Sequence, residues 1–260
     1  KISNCRMMET VTFETKCYEN DWEFVLKTNY LDEMLRRCSF PFTHKQLIIN
    51  NVSDISLVSK YAEEKVKAGI IDAYYIAEDY AEDSLRFFEI DRSSFGRGYY
   101  YSISELVGLY LSKTTYHLHF SSDAIMGRNS AINWIESAMR LMNMYSDFVV
   151  ANPLWNYRHQ DAFNESIDEI EDFYIGYGFS DQCYLVKNEM FRKPIYNEHN
   201  IASSRYPIYG GELFEKRVDS YMRNHELKRI THKEVSYIHQ NFPKNELLRL
   251  ARKLRIYLNF

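Results

Sequence analysis

The chain has 260 residues, a net charge of −4 at neutral pH and a composition that is 45% hydrophobic and 26% charged. These values are typical of one large folded domain and exclude collagen-like, low-complexity and largely disordered chains. No apolar run approaches the roughly 18 residues that span a bilayer, and the acidic excess argues against a protein devoted to nucleic acid. The four cysteines lack the spacing of a zinc site, so we expect free thiols in a reducing cytosol.

The first part of the chain predicts alternating strands and helices. Short β-branched or apolar runs predict the strands, and apolar residues spaced three and four apart predict the helices. In chain order these are a strand at 11–17, a helix at 21–37, a strand at 47–49, a helix at 55–68 and a strand at 73–77. This alternation predicts an α/β layer structure with a mostly parallel central sheet flanked by helices.

The remainder of the chain extends the same pattern less regularly. Helices are predicted at 102–112, 132–145 and 213–225, and strands at 114–120, 148–151, 183–186 and 235–238. The polar and aromatic stretch 152–180 favours no element, and 195–211 is predicted to be a loop. We therefore expect a single domain over 1–242, with a ligand-binding half at about 1–125 and a second half at about 126–242.

The last predicted element is a basic amphipathic helix at 245–258, within a separate segment 243–260. It carries Arg249, Arg252, Lys253 and Arg255 between leucines. One interpretation is a helix that lies on an anionic membrane surface, which would place the protein at the periphery of a membrane. The other is a terminal helix packed on the domain with its charges in water.

Polar side chains cluster just after the predicted strands, where an open parallel sheet binds its ligands. Between them, these side chains carry carboxylate, amide, hydroxyl and amino groups. After the first strand come Lys16, Tyr18, Glu19 and Asp21; after the second, Asn50, Asn51, Ser53 and Asp54; after the third, Glu78 and Asp79; after the fourth, Ser121, Ser122 and Asp123. Such a cleft suits a diphosphate bound together with a hard divalent cation.

Four segments resemble nucleotide-sugar glycosyltransferases of the GT-A fold. Residues 48–66 (IINNVSDISLVSKYAEEKV) are similar to the second strand and following helix of that family, and 95–126 to its central segment. The central strand of the family ends in an Asp-x-Asp motif, for which this chain has Ser121-Ser122-Asp123. Residues 205–218 (RYPIYGGELFEKRV) resemble the Gly-Gly-Glu segment of inverting galactosyltransferase-type enzymes, and 236–240 (SYIHQ) resemble the segment with their late histidine.

The resemblance implies a role for each matching residue. Glu212 would be the general base, Asp123 and His239 would hold a divalent metal ion, Mn²⁺ or Mg²⁺, and Tyr209, Gly210 and Gly211 would contact the acceptor. The residues implied to bind the donor are Thr15, Tyr18, Asn50, Asn51, Asp54, Arg97, Ser121 and Ser122. Because Ser121 replaces the first acid of the motif, the metal site has one carboxylate fewer than usual.

The function implied is transfer of a sugar from a nucleotide-diphosphate sugar, with uridine as the usual nucleoside of the family, to a glycan or lipid-linked acceptor. An inverting reaction needs a base for the acceptor hydroxyl and stabilisation of the leaving diphosphate. By analogy the protein would be a cytoplasmic enzyme of surface polysaccharide synthesis.

Two other functions stay open. A sugar-phosphate nucleotidyltransferase shares the architecture, but the stretch after the first strand lacks the Gly-rich phosphate loop of that class. A non-catalytic carbohydrate-binding domain would suit the incomplete metal motif. The individual residues also have structural alternatives: Asp123 as a turn cap, Glu212 as a first-turn acid and His239 as an interior histidine. For His117 and His119 a structural role is the favoured prediction.

Overall fold

The computed structural model describes residues 9–128, 133–207 and 211–240. In these residues one ten-stranded sheet lies between two layers of helices. The strands are β1 (Val11–Cys17), β2 (His44–Ile49), β3 (Ala73–Ile76), β4 (Tyr116–Phe120), β5 (Ala124–Met126), β6 (Phe148–Trp155), β7 (Ser166–Ile170), β8 (Phe173–Gly176), β9 (Cys183–Lys187) and β10 (Lys228–His239). The helices are α1 (Trp22–Lys27), α2 (Tyr30–Cys38), α3 (Ile55–Lys67), α4 (Ala77–Phe87), α5 (Tyr99–Leu111), α6 (Trp134–Met144), α7 (His159–Glu165), α8 (Asn188–Phe191) and α9 (Phe214–Asn224).

The sheet has the order β3-β2-β1-β4-β9-β6-β10-β8-β7, and β5 pairs with β10 outside this path. The strands β3, β2, β1 and β4 are mutually parallel, as the alternation of strands and helices predicts. Strand β9 runs antiparallel to both of its neighbours, and β10 is parallel to β6. The predicted α/β class and single layered domain are confirmed, and the parallel part of the sheet is the first half.

Side chains on the two faces of the sheet pack into two separate hydrophobic clusters. Residues such as Phe13 and Leu47 pack beneath α1, α2, α3 and α6. On the other face, residues such as Ile48 and Val186 pack beneath α4, α5, α8 and α9. Because successive side chains of a strand point to opposite faces, each polar side chain of the central strands points toward one of the two helix layers.

Several predicted elements differ in detail from those observed. The predicted helix at 21–37 is two helices, because the Thr28 hydroxyl donates to the Phe24 carbonyl (2.7 Å) and accepts from the Tyr30 amide (3.0 Å) at the break. Helix α4 was not predicted, and the undecided stretch 152–180 holds the end of β6, helix α7 and the β7–β8 hairpin. The predicted loop at 195–211 contains a short 3₁₀ segment, Ile201–Arg205.

The predicted basic helix at 245–258 lies outside the described residues. Within the part of the chain that the structure describes, no helix is both long and apolar enough to cross a bilayer.

Candidate active site

A cavity of about 420 Å³ opens at the carboxyl edge of β1, β2 and β4. The parallel strands end there, and the first turn of α5 closes one side. Its lining combines charged, amide, hydroxyl and aromatic side chains. These are Lys16, Tyr18, Asn20, Asn50, Tyr100, Tyr101, Ser121, Ser122, Asp123 and Asp181.

The carboxylate of Asp123 and the imidazole of His239 meet at the cavity. Asp123 Oδ2 lies 3.0 Å from His239 Nε2, and Ser121 Oγ donates a hydrogen bond of 3.0 Å to Asp123 Oδ1. Burial on its own raises the pKa of Asp123, but the hydrogen bond and charge of His239, with the Ser121 hydrogen bond, outweigh it and lower the pKa. Asp123 is therefore an anionic oxygen donor at neutral pH.

A second carboxyl, that of Asp21, lies directly behind the Ser-Ser-Asp turn. Its two oxygens accept hydrogen bonds from the Tyr18 amide (2.8 Å) and from the Ser122 hydroxyl. Because Asp21 is almost fully buried, desolvation raises its pKa to about 7, and the nearby Asp123 charge adds to that increase. Asp21 thus fixes the turn that carries Asp123.

The positive charge of the cavity comes from Lys16, near the end of β1. Its ammonium group pairs with the fully buried carboxylate of Glu105 in α5. Burial on its own lowers the pKa of Lys16, but the charges of Glu105, Asp181 and Asp123 outweigh it, so the pKa lies above its usual value. Lys16 is therefore a permanent cation in the cavity wall.

Two further carboxyl groups lie beyond Lys16. Burial raises the pKa of Asp181, and it raises that of Glu215 in the first turn of α9 to about 8. The charge of Asp181 also raises the pKa of Glu215 by repulsion, whereas the hydrogen bond from the Asp181 backbone amide lowers it. The charge of Glu105 raises the pKa of both carboxyl groups. Glu215 is thus mainly neutral at pH 7, which reduces repulsion of an anionic ligand.

Glu212 lies on a loop that packs against the segment before α5. Its amide donates to the Phe95 carbonyl (3.2 Å), and a methyl group at Gly98 would lie 1.8 Å from the Glu212 carbonyl oxygen. Glu212 Oε1 pairs with Lys216 Nζ at 2.6 Å, whereas Oε2 is buried without a hydrogen-bond partner in the described residues. Glu212 does not line the cavity, but it contacts the segment that leads into Tyr100 and Tyr101.

The remaining residues predicted to bind the acceptor are only partly described. Gly211 has a φ of +92°, and a methyl group there would lie 2.6 Å from the Phe95 carbonyl oxygen, so the position requires glycine. Tyr209 and Gly210 lie outside the described residues.

The residues predicted to bind the donor divide into two groups. Tyr18, Asn50, Ser121 and Ser122 line the cavity, and Asn51 lies beside it with its amide donating to the Tyr100 carbonyl (2.9 Å).

Three others lie away from the cavity lining. Thr15 is fully buried in the core, and Arg97 is exposed on a 3₁₀ segment. Asp54 caps α3 by accepting a hydrogen bond from the Leu57 amide at 2.9 Å, which is a structural role.

Asp181, like Asn20, Tyr100 and Tyr101, is a cavity residue that the strand-end rule misses. That rule considers only the carboxyl ends of parallel strands, but β9 is antiparallel, so the residues before its first position reach the same edge. The Ser121 amide donates to the Gln182 carbonyl at 2.8 Å, which places Asp181 beside the Ser-Ser-Asp turn. The Ser180-Asp181 pair, separated by one residue from the strand predicted at 183–186, is the signal that could have indicated it.

The Asp123–His239 pair fits a divalent cation by its chemistry. A carboxylate and an imidazole are both ligands for Mn²⁺ and related ions, and Asp123 lines the cavity, where ligand oxygens can complete the coordination. Among residues described by the structure, these two are the candidate protein ligands at this point, and a serine stands in place of the first acid.

The sequence matches no family model and no curated protein. The structure is similar to that of GalNAc-T7, solved with UDP, GalNAc and Mn²⁺, with a TM-score of 0.56 and 11% identity over 97% of this chain. It is also similar to the mannosyltransferase PcManGT from Pyrobaculum calidifontis, in complex with GDP-Man and Mn²⁺, with a TM-score of 0.51 and 12% identity over 96% of this chain. The chain spans 48% and 63% of those two proteins. At these identities the likeness shows the fold, which is that of nucleotide-sugar glycosyltransferases of the GT-A type.

Proposed function

We propose that this protein is a glycosyltransferase that moves a sugar from a nucleotide-diphosphate sugar to an acceptor hydroxyl, with inversion. The observation that carries the proposal is the Asp123–His239 pair, 3.0 Å apart, at the edge of the cavity. Its position at the carboxyl edge of β1, β2 and β4 is where an open α/β sheet binds its ligand. The two neighbours of the same fold were solved with UDP or GDP-Man and Mn²⁺.

The cavity has the size and chemistry for a nucleoside diphosphate. Its volume of about 420 Å³ is in the range of small-ligand sites. Tyr100 and Tyr101, which are 42% and 50% exposed at its rim, offer aromatic faces to a nucleobase. The Lys16 ammonium offers a fixed positive charge to the phosphates.

Asp123 and His239 would hold the divalent cation, which when bound supplies positive charge that stabilises the leaving diphosphate. The acceptor oxygen attacks the anomeric carbon, its proton passes to a carboxylate, and the bond to the diphosphate oxygen breaks with its electron pair on the diphosphate. We assign the role of this carboxylate to Glu212. Its buried Oε2 accepts no hydrogen bond from the described residues and can therefore accept the proton. Gly211, which packs closely against the Phe95 carbonyl, fixes the backbone on which Glu212 lies.

The acceptor is proposed to be a glycan or a lipid-linked sugar, and the reaction a step in polysaccharide synthesis. This part rests on the Gly-Gly-Glu resemblance. Contact with a membrane through 245–258 belongs to the same proposal.

One observation favours a second candidate, a domain that binds a nucleotide sugar without turnover. Ser121 occupies the place of the first acid and donates its hydroxyl hydrogen to Asp123, so one carboxylate is replaced by a neutral donor.

The experiment that separates these functions combines binding with turnover. Uridine, guanosine, deoxythymidine and adenosine diphosphates and their sugars are screened by thermal shift with and without Mn²⁺, and release of nucleoside diphosphate is then measured. A ligand at a hundred times its Kd adds about 2.7 kcal/mol, or roughly 5–10 °C. A Mn²⁺-dependent shift with turnover supports the enzyme, a shift without turnover on a panel of acceptors supports the binding domain, and no shift of the folded protein contradicts both.

A further inference from the structure

A second polar cluster is buried under helix α5, on strands β2, β1, β4 and β9. Gln46, Glu14, His119 and Tyr184 lie side by side in register across these strands, and His117 is the next residue of β4 on the same face. All five side chains are completely buried. The cluster is outside the lining of the cavity described above.

The two imidazoles converge on one carboxylate oxygen. Glu14 Oε1 lies 3.1 Å from His119 Nδ1 and 3.4 Å from His117 Nε2. Two ligands of one tetrahedral ion, each about 2.1 Å from it, are separated by roughly 3.4 Å. Both distances to the carboxylate oxygen are close to this value, and all three donor atoms lie within 4.8 Å of one another, so the three side chains can hold a single ion.

The surroundings of the three side chains hold them in this arrangement. Gln46 Nε2 donates to Glu14 Oε2, which orients the carboxylate. The His119 ring stacks on Tyr184, with ring centroids 4.9 Å apart and planes at 15°. Helix α5 lies directly above, since a methyl group at Gly108 would lie 2.1 Å from Glu14 Oε2.

Polar atoms of the cluster lack hydrogen-bond partners within the described residues. They are both ring nitrogens of His117, Nε2 of His119, Oε1 of Gln46 and the hydroxyl of Tyr184, and Nε2 of His117 is the atom that faces the Glu14 carboxylate. Buried polar atoms in native proteins are almost always satisfied by protein, water or an ion. A fully buried carboxylate beside two imidazoles also needs a positive charge to balance it.

We propose that Glu14, His117 and His119 bind a divalent transition metal ion of the Zn²⁺ class, as a structural site inside the sheet. Two imidazoles and a carboxylate are the ligand set that such ions favour. The ion would tie β1 to β4 beneath α5, the helix that carries Glu105 and the tyrosines of the cavity. It is separate from the cation proposed at Asp123 and His239, and it does not depend on the proposed function.

The first test measures bound metal by mass spectrometry. The protein is purified without a metal-affinity tag, refolded with ZnCl₂ and passed through gel filtration. The double variant Asp123→Asn/His239→Asn, which lacks the ligands of the cavity, is expected to retain about one Zn²⁺ per chain. Glu14→Gln and His119→Gln, each added to this double variant, are expected to lose it.

A second measurement uses the wild-type chain, because a buried variant can fail to fold for other reasons. Co²⁺ bound by two imidazoles and a carboxylate gives visible absorption bands, and removal of a tightly bound ion by a chelator is expected to lower Tm by roughly 10 °C. Folded wild-type protein with no bound metal after refolding in Zn²⁺, and with the same Tm before and after chelation, would overturn the proposal. In that case Glu14, His117 and His119 would form a metal-free ion-pair cluster.

Discussion

Asp123 and His239 lie 3.0 Å apart because the short strand β5 pairs antiparallel with β10. In that pairing Ala124 is opposite His239, and the Gln240 amide donates to the Asp123 carbonyl at 2.9 Å. Backbone hydrogen bonds therefore hold the two side chains together without any ligand. The proposed metal site, held in this way, needs little reorganisation to bind its ion.

The first prediction concerns Asp123→Asn. The amide keeps the size of the side chain but offers a neutral oxygen in place of an anionic one. We expect the Mn²⁺-dependent part of the thermal shift caused by the preferred nucleoside diphosphate to disappear, with Tm in the absence of ligand within a few degrees of wild type. Differential scanning fluorimetry with a Mn²⁺ titration measures both.

The matched control for this variant is Asp168→Asn. Asp168 is exposed in β7, the strand at the far edge of the sheet. Its shift with nucleotide and Mn²⁺ is expected to equal that of wild type. If Asp123→Asn binds nucleotide and Mn²⁺ as tightly as this control does, Asp123 is not a metal ligand.

The second prediction concerns pH and Asp21. The folded-state pKa of about 7 lies above the usual value of 3.8, so between these values the folded chain holds a proton that the unfolded chain releases. The free energy of unfolding of wild type therefore falls as pH rises from about 4 to 7. Asp21→Asn removes this fall and is expected to be more stable than wild type at pH 8, by on the order of 3 kcal/mol.

The asparagine can keep both hydrogen bonds. Its side-chain carbonyl can accept from the Tyr18 backbone amide, and its side-chain NH₂ group can donate to the Ser122 hydroxyl. The measurement is the difference in unfolding free energy between variant and wild type from pH 5 to 9, with a chelator present. Parallel curves for the two proteins would show that Asp21 ionises at its usual pH.

The sequence predicts the layered fold well, because period-two strands and period-3.6 helices are encoded locally. Strand β1 has the predicted bounds, and the polar residues after β1, β2 and β4 converge as the parallel arrangement requires. The pairing of β5 with β10 cannot be read from local pattern. The expectation that Asp123 and His239 share a site therefore came from the resemblance.

The features of the site that the sequence did not indicate have nonlocal causes. Asp181 reaches the cavity because β9 is antiparallel, and strand direction is set by the whole topology. Lys16 is held there by Glu105, which belongs to a helix distant in sequence. Thr15 points into the core because its neighbours Phe13 and Cys17 share its face of β1.

The third prediction concerns the pair of Lys16 and Glu105. Removing one partner leaves the other charge buried, so Lys16→Met and Glu105→Gln are each expected to lower the unfolding free energy by about 3 kcal/mol. The double variant is expected to recover part of that loss. A double-mutant cycle by urea denaturation measures the coupling, and additive effects would contradict a buried ion pair.

The fourth prediction concerns Gly98→Ala. The added methyl group would lie 1.8 Å from the Glu212 carbonyl oxygen, so the loop that carries Glu212 must move. We expect nucleotide binding to persist, since Gly98 lies outside the cavity lining, while kcat of transfer falls at least tenfold. The control is Gly69→Ala, where the methyl group has no atom within 4 Å and only a φ of +71° opposes it. A kcat equal to that of the control would mean that the position of Glu212 does not matter for transfer.

The last prediction tests Glu212 as the general base. Glu212→Gln keeps the length of the side chain and a hydrogen-bonding oxygen for Lys216, but it removes the proton acceptor. We expect nucleotide-sugar affinity near that of wild type and a kcat lower by about a hundredfold or more. Glu63→Gln is the matched control, because Glu63 also pairs with a lysine four residues later, Lys67, at 3.6 Å on an exposed face of α3. Single-turnover kinetics separates binding from transfer, and unchanged transfer in Glu212→Gln would shift the role of base to another carboxylate, with Asp181 in the cavity wall as the next to test.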